Sequence, residues 1–274
     1  MTDLNLTMPR LAFIGTGSMG SALARAARKN LPPENIMLAN RTREKAEALA
    51  RCLGGCAVAS NVRAAAWADY IFLGVKPQMM ADLLSEIAPA LAKRESRFVL
   101  VSMAAGMPIQ RIQDLAGGAY PVIRIMPNTP AAIGEGMILY AARPSIKSEE
   151  TEAFLDFMSG AGRFASLPEH LMDAGSAVSG CGPAFAALFL EALADGGVAC
   201  GLPRVQAQEL AAQMLAGTAR LALETGRHPG ALKDDVCSPG GTTIQGVRQL
   251  ESLGFRSAVI EAVIAAYKKN QDLA

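Results

Sequence analysis

Apolar runs and stretches of helical spacing alternate from the start of the chain. Arg10-Leu11-Ala12-Phe13-Ile14, Ile36-Met37-Leu38-Ala39, Tyr70-Ile71-Phe72-Leu73-Gly74-Val75, Phe98-Val99-Leu100-Val101 and Val122-Ile123-Arg124-Ile125-Met126 are apolar at nearly every position, as strands buried on two faces are. Between them, Met19, Ala22, Leu23 and Ala26, then Ala46, Leu49, Ala50 and Leu53, then Met80, Leu83, Leu84 and Ile87, recur at helical spacing. Such alternation predicts an α/β Rossmann-like doubly wound parallel sheet, whose ligands bind beyond the C-terminal ends of the strands. Met137-Ile138-Leu139-Tyr140, a helix over Ser148 to Ser159 and a strand over Phe164 to Leu167 close this part.

From Glu169 onward the pattern is almost entirely helical. A helix from Pro183 to Cys200, a Gly201-Leu202-Pro203 turn, a helix to Thr225 and two final helices are predicted, with Pro183 and Pro203 in first turns. The boundary is placed near Leu167, giving a nucleotide-binding domain over 1–167 and an all-α domain over 168–274. Phe185, Leu188, Phe189, Leu190, Leu193, Ala194 and Val198 cover nearly the whole circumference of the first long helix. A domain of that size cannot bury such a helix alone, so a homodimer through the helical domain is expected.

Composition narrows the classes of function. The 274 residues are 51% hydrophobic and 19% charged, and 26 Lys and Arg stand against 25 Asp and Glu, which leaves no basic field for nucleic acid or an acidic membrane surface. No continuous run of eighteen apolar residues and no N-terminal signal core are seen, so no membrane partner and a cytoplasmic location are expected. Cys52, Cys56, Cys181, Cys200 and Cys237 are an odd set without a second Cys pair or a His cluster, so no metal and no essential thiol are expected.

Two stretches carry candidate chemistry. Gly15-Thr16-Gly17-Ser18-Met19-Gly20 lies between the first strand and first helix, where glycines give a tight turn and let a pyrophosphate approach the helix N-terminus. The second strand ends at Asn40-Arg41, where NAD enzymes carry an acid for the ribose 2′-hydroxyl. A neutral Asn followed by Arg suits a 2′-phosphate, so NADPH is expected, with NADH as a poorer alternative. A solvated Arg41, a surface Lys76 held extended by Pro77, and an Asn128 that braces a turn are the plain alternatives. The second stretch, Asp235-Val236-Cys237-Ser238-Pro239-Gly240-Gly241-Thr242-Thr243-Ile244-Gln245-Gly246, breaks one helix and starts another. It reads either as an anion seat, with free N–H groups and the hydroxyls of Ser238, Thr242 and Thr243, or as an ordinary N-cap by Thr242 or Thr243.

The run from Asp235 to Gly246 resembles the signature of the pyrroline-5-carboxylate reductases. Val75-Lys76-Pro77-Gln78, Arg124-Ile125-Met126-Pro127-Asn128-Thr129-Pro130, Ser179-Gly180-Cys181-Gly182-Pro183-Ala184 and Ala194-Asp195-Gly196-Gly197 are similar to patterns of the same family, and the resemblance spans residues 10 to 270. Asp235 stands where some members carry Asn. The resemblance implies NAD(P)H-dependent reduction of 1-pyrroline-5-carboxylate to L-proline, an interlaced dimer, and often rings of dimers. It also implies that Thr243 is catalytic, hydrogen-bonding the substrate ring nitrogen, that Ser238, Gly241 and Thr242 hold the carboxylate, and that Glu169 lies near the substrate. Asn61, Val75, Lys76, Pro77, Met103, Ala104 and Ala105 match cofactor contacts. A solvated helix-N-terminal Glu is the alternative for Glu169.

The residues fit imine chemistry. A carbonyl reductase needs a Lys, His or Tyr acid, whereas a cyclic imine arrives protonated and needs mainly positioning. A β-hydroxyacid dehydrogenase, the nearest rival, places a catalytic Lys on the first long helix of its second domain, and Pro183 to Cys200 contains none. A non-enzymatic NADPH sensor would not need the Ser238–Thr243 run.

Overall fold

The structure is a computed structural model that describes residues 8–272. Among the described residues eight strands, β1 (Leu11–Ile14), β2 (Ile36–Ala39), β3 (Ala57–Val58), β4 (Tyr70–Leu73), β5 (Val99–Ser102), β6 (Val122–Met126), β7 (Gly136–Ala142) and β8 (Gly162–Ser166), form one sheet in the order β3-β2-β1-β4-β5-β6-β7-β8. Its first six strands are parallel in the Rossmann order. β7 departs from the expected parallel arrangement by running antiparallel to β6, and β8 then runs parallel to β7. The β6–β7 connection holds only the 3-10 turn Thr129–Ile133, whereas a parallel return needs a crossover of a dozen residues or so.

The helices are α1 (Ser18–Ala27), α2 (Arg43–Cys52), α3 (Asn61–Trp67), α4 (Met80–Ala92), α5 (Ile109–Ala116), α6 (Ser148–Met158), α7 (Met172–Gly175), α8 (Gly182–Ala199), α9 (Arg204–Thr225), α10 (Pro229–Val236), α11 (Thr242–Ser252) and α12 (Phe255–Gln271). Successive strand residues point to opposite faces, and the core divides accordingly. Leu11, Phe13, Tyr70, Phe72, Val99 and Ile123 pack with α1, α2 and α6, while Ala12, Ile14, Ile71, Leu73 and Leu100 pack with α3, α4 and α5. Phe13 and Phe72, paired across β1 and β4, stack at 4.4 Å.

The chain divides into two packed units after Gly180, not near Leu167, and the first unit resumes at Tyr267. The difference has a local cause. Met172 joins Met126, Leu139 and Ala141 in a small cluster, Arg124 Nη2 donates to Asp173 Oδ1 at 2.8 Å, and Asn128 Nδ2 donates to the Ser179 carbonyl at 3.0 Å. Residues 169–180 are therefore helical in character yet belong to the sheet, and Asn270 Nδ2, near the end of α12, donates to the Asp173 carbonyl at 3.3 Å.

The second unit buries little in one chain. Among its described residues only Ala194, Ala207 and Ala211 are buried, while Leu188, Leu210 and Leu253 are 67%, 59% and 75% exposed. Pro203 is the N-cap of α9 rather than a first-turn residue. Although no continuous apolar run marks it, the helical stretch Glu169–Ala199 is long and apolar enough to cross a membrane by length and composition. Exposed faces of this kind are what a chain leaves when a second copy covers them.

Candidate active site

The nucleotide half is built where strand order reverses, between the loops after β1 and β4. The Gly15 N–H donates to the Ala39 carbonyl at the end of β2 at 2.8 Å, and the Gly74 N–H donates to the Ile14 carbonyl at the end of β1 at 2.7 Å, so the loop after β1 is tied to β2 and the loop after β4 to β1. Gly15 has φ +99°, and a Cβ there would meet the Gly74 carbonyl carbon and oxygen at 2.6 Å. At Gly20 a Cβ would lie 2.0 Å from the Gly15 oxygen, whereas at Gly17 it would meet no atom of the described residues within 4 Å. Gly15 and Gly20 thus serve the packing of the turn, and Gly17 keeps the space before the α1 N-terminus open.

A dinucleotide fits what the turn presents. Thr16 is 6% exposed and its buried Oγ1 has no hydrogen-bond partner among the described residues, an orphaned group that a phosphate oxygen would satisfy. The first turn of α1 carries no acid, Ser18 is exposed and Met19 packs on the core. Asn40 is committed on two sides: its Oδ1 accepts from the Thr16 N–H at 3.1 Å and its Nδ2 donates to the Thr42 carbonyl at 2.9 Å. Arg41 is exposed and makes no hydrogen bond or ion pair with a described residue, while Arg43 is held by Glu47 at 2.8 Å.

Other expected cofactor residues follow the neighbouring strands. Val75, Lys76 and Pro77 form the loop after β4, with Lys76 exposed at the start of a 3-10 turn. Met103, Ala104 and Ala105 lead from β5 toward α5, and the Ala104 N–H donates to Ser102 Oγ at 3.4 Å. Asn61 opens α3, and its Nδ2 donates to Glu86 Oε2 at 2.8 Å. Glu169 is not a solvated carboxylate: its Oε1 accepts from the Ile109 N–H at 2.5 Å and its Oε2 lies 3.7 Å from Arg143 Nη2.

The Ser238–Thr243 run lies in the helical unit. Gly240, at φ +71°, turns the chain, and the Gly241 N–H donates to the Ser238 carbonyl at 3.0 Å. A Cβ on Gly241 would lie 2.3 Å from Ser238 Oγ, so a side chain there would turn the Ser238 hydroxyl out of its present position. Gly241 itself is the N-cap of α11, with no side-chain hydrogen bond, so neither threonine caps the helix. The Thr242 and Thr243 hydroxyls, exposed on the first turn, bond no described residue and remain available beside free backbone N–H groups.

Neighbouring charges are already paired. Arg227 Nη1 meets Asp235 Oδ2 at 2.5 Å and holds that carboxyl below its ordinary range. Lys233 is raised by its hydrogen bond to Asp234 at 2.6 Å, and His228 Nδ1 accepts from the Gly230 N–H at 3.0 Å. All five cysteines are free thiols, and burial pushes Cys56 up. Among the described residues no three His, Cys, Asp or Glu side chains gather as a metal site.

Relatives match nearly the whole chain. Pyrroline-5-carboxylate reductases of Synechocystis and of Escherichia coli are 44% and 40% identical to it, each over 96% of this chain and 98% of theirs. The chain belongs to the pyrroline-5-carboxylate reductase family. A solved member of that family from Plasmodium falciparum, with NADP bound, matches with a TM-score of 0.86 and 30% identity over 97% of this chain and 98% of its own. Another, from Coxiella burnetii, matches at 0.89 and 30% over 98% and 99%. The family model for pyrroline-5-carboxylate reductase dimerisation covers residues 169–273, and one described as NADP oxidoreductase, coenzyme F420-dependent, covers 10–106. The exposed helices thus lie in a dimerisation domain. That match begins at Glu169, at the change of sequence pattern, whereas the packing boundary lies after Gly180.

Sequence reasoning missed the Arg124–Asp173 pair and the Arg143–Glu169 contact. A charged residue inside the apolar run Val122–Met126 was a signal that Arg124 needs a buried partner, and Arg124 is in fact 3% exposed. Nothing in the spacing identifies Asp173 as that partner.

Proposed function

We propose that this chain reduces 1-pyrroline-5-carboxylate to L-proline with NADPH, the last step of proline biosynthesis. The observation that carries the reading is the 44% identity to a pyrroline-5-carboxylate reductase over 96% of the chain, which spans the glycine turn and the Ser238–Thr243 seat together. NADPH supplies the hydride when bound. Gly15, Thr16, Gly17, Ser18, Met19 and Gly20 hold its pyrophosphate against the α1 N-terminus, and Arg41 pairs with the 2′-phosphate beside Asn40. Asn61, Val75, Lys76, Pro77, Met103, Ala104 and Ala105 line the rest of the dinucleotide.

Ser238, Gly241 and Thr242 hold the substrate carboxylate with hydroxyls and the free N–H groups of α11, whose dipole favours an anion. Thr243 hydrogen-bonds the ring nitrogen. The imine binds as an iminium, so the nitrogen already carries its proton and the carbon takes the hydride, leaving a neutral amine without a general acid. The paired states of Lys233 and His228 support that economy. The protein works in the cytoplasm as a homodimer through its helical domain, with dimers assembled into rings. The test is NADPH oxidation with pyrroline-5-carboxylate beside a panel of 2-hydroxy and 2-oxo acids; turnover with the imine alone is expected, and turnover with an acid instead would replace this reading.

A further inference from the structure

Helix α5 begins with a proline as its N-cap, a residue that has no side-chain oxygen to accept the first free N–H groups. The missing acceptor comes from sixty residues away, where Glu169 Oε1 takes the Ile109 N–H at 2.5 Å. A second contact makes the grip two-sided: Arg143, beside the other Glu169 oxygen, donates through Nη1 to Gln110 Oε1 at 2.9 Å and lies 3.5 Å from Gln113 Oε1, both on α5. Gln113 is 8% exposed and its Nε2 donates to the Tyr120 carbonyl at 2.7 Å, so the anchored helix is fixed to the start of β6 as well. The held helix closes the segment that leaves β5 through Met103, Ala104, Ala105 and Gly106, the last at φ +68°.

We infer that Glu169 is a positioning residue for the cofactor rather than a substrate contact: with Arg143 it caps α5 from a distance and so fixes the Met103–Ala105 wall. This rests on the reading that the wall lines NADPH. A carboxylate at a helix N-terminus is favoured by the free N–H groups and the helix dipole, and neither interaction requires substrate. A residue that touched the imine would leave cofactor binding alone.

The test measures NADPH binding directly, by fluorescence titration of the full-length protein without substrate, and KM for pyrroline-5-carboxylate at saturating NADPH. Glu169→Ala is expected to raise the NADPH Kd by about threefold to thirtyfold, the equilibrium equivalent of losing one N-cap, with KM for the imine nearly unchanged. Glu169→Gln, which keeps an acceptor oxygen, should recover part of the loss. Pro108→Asp in the Glu169→Ala background supplies a local cap and should restore NADPH affinity whether or not the single variant folds well. An unchanged NADPH Kd in Glu169→Ala, a rise confined to the imine KM, or no rescue by Pro108→Asp would overturn the inference. Failure of the wild-type protein to bind NADPH would instead overturn the cofactor reading beneath it.

Discussion

Replacing Gly17 and Gly20 by alanine, one at a time, should separate the binding of a pyrophosphate from the building of the turn. At Gly20 the new methyl would sit 2.0 Å from the Gly15 carbonyl oxygen, more than an ångström inside normal contact, and backbone atoms on both sides must move. Overpacking of that kind costs about 1–3 kcal/mol, so Gly20→Ala should unfold at lower denaturant without any ligand. At Gly17 the backbone is extended, with φ −70° and ψ −172°, and the methyl meets no atom of the described residues within 4 Å. Exchanging Gly for Ala at an N-cap loses a few tenths of a kcal/mol or more, and reduced freedom of the unfolded chain returns roughly 0.4–1 kcal/mol, so stability should stay within about 1 kcal/mol of wild type. The same methyl stands where a pyrophosphate must approach the α1 N–H groups, and lengthening those charge-assisted hydrogen bonds should weaken NADPH by about tenfold to a hundredfold. Urea unfolding of the ligand-free variants and NADPH titration read the two effects independently. A Gly17→Ala protein that binds NADPH like wild type would refute the assignment of this turn to the cofactor.

Thr243→Ala should leave stability unchanged or slightly raised, because Gly241 and not Thr243 caps α11 and Ala is the better helix former. Its kcat/KM for pyrroline-5-carboxylate should fall by about tenfold to a hundredfold, the value of one hydrogen bond to a charged group, with Thr243→Ser recovering part; a folded variant of wild-type efficiency would remove Thr243 from the chemistry. Arg41→Asp should raise KM for NADPH by roughly tenfold or more and barely move KM for NADH, and equal effects on the two cofactors would sink the 2′-phosphate assignment. Burial pushes the Glu150 carboxyl up, but hydrogen bonds from Arg97 and from the Lys147 N–H at 2.8 Å outweigh it and hold it below its ordinary 4.5. A depressed folded value means stability present above pH 4.5 and lost as pH falls through the folded value, so the Tm deficit of Glu150→Gln should shrink on acidification below pH 4.5; a deficit independent of pH would contradict this.

The sheet was legible because its strands are buried on two faces and so read as unbroken apolar runs, and the glycine turn because it sits between such a run and a helix. β3 escaped because Ala57–Val58 is two residues long, and α5 because the proline before it offers no capping residue to mark its start. Strand direction is a property of the connection, and nothing within Gly136–Ala142 distinguishes the antiparallel β7 from a parallel strand. The need of α8 for a second copy followed from apolar residues on all its sides. The packing boundary was not readable: Met172 and Asp173 look like the opening of a helical domain, and only Met126, Leu139 and Arg124, distant in sequence, tie them to the sheet. At the Ser238–Thr243 run, the sequence placed a helix start near Thr242 and Thr243 but could not tell a capping threonine from a free one, because that depends on the extended backbone of Gly241.

Both products of the proposed reaction can be followed in one mixture: the purified protein is combined with NADPH and 1-pyrroline-5-carboxylate, with NADPH oxidation monitored by absorbance and L-proline measured by amino-acid analysis. NADPH should be consumed and L-proline should appear in equal amounts, without added metal. NADPH left unconsumed, or consumed without proline, would contradict the proposed reaction.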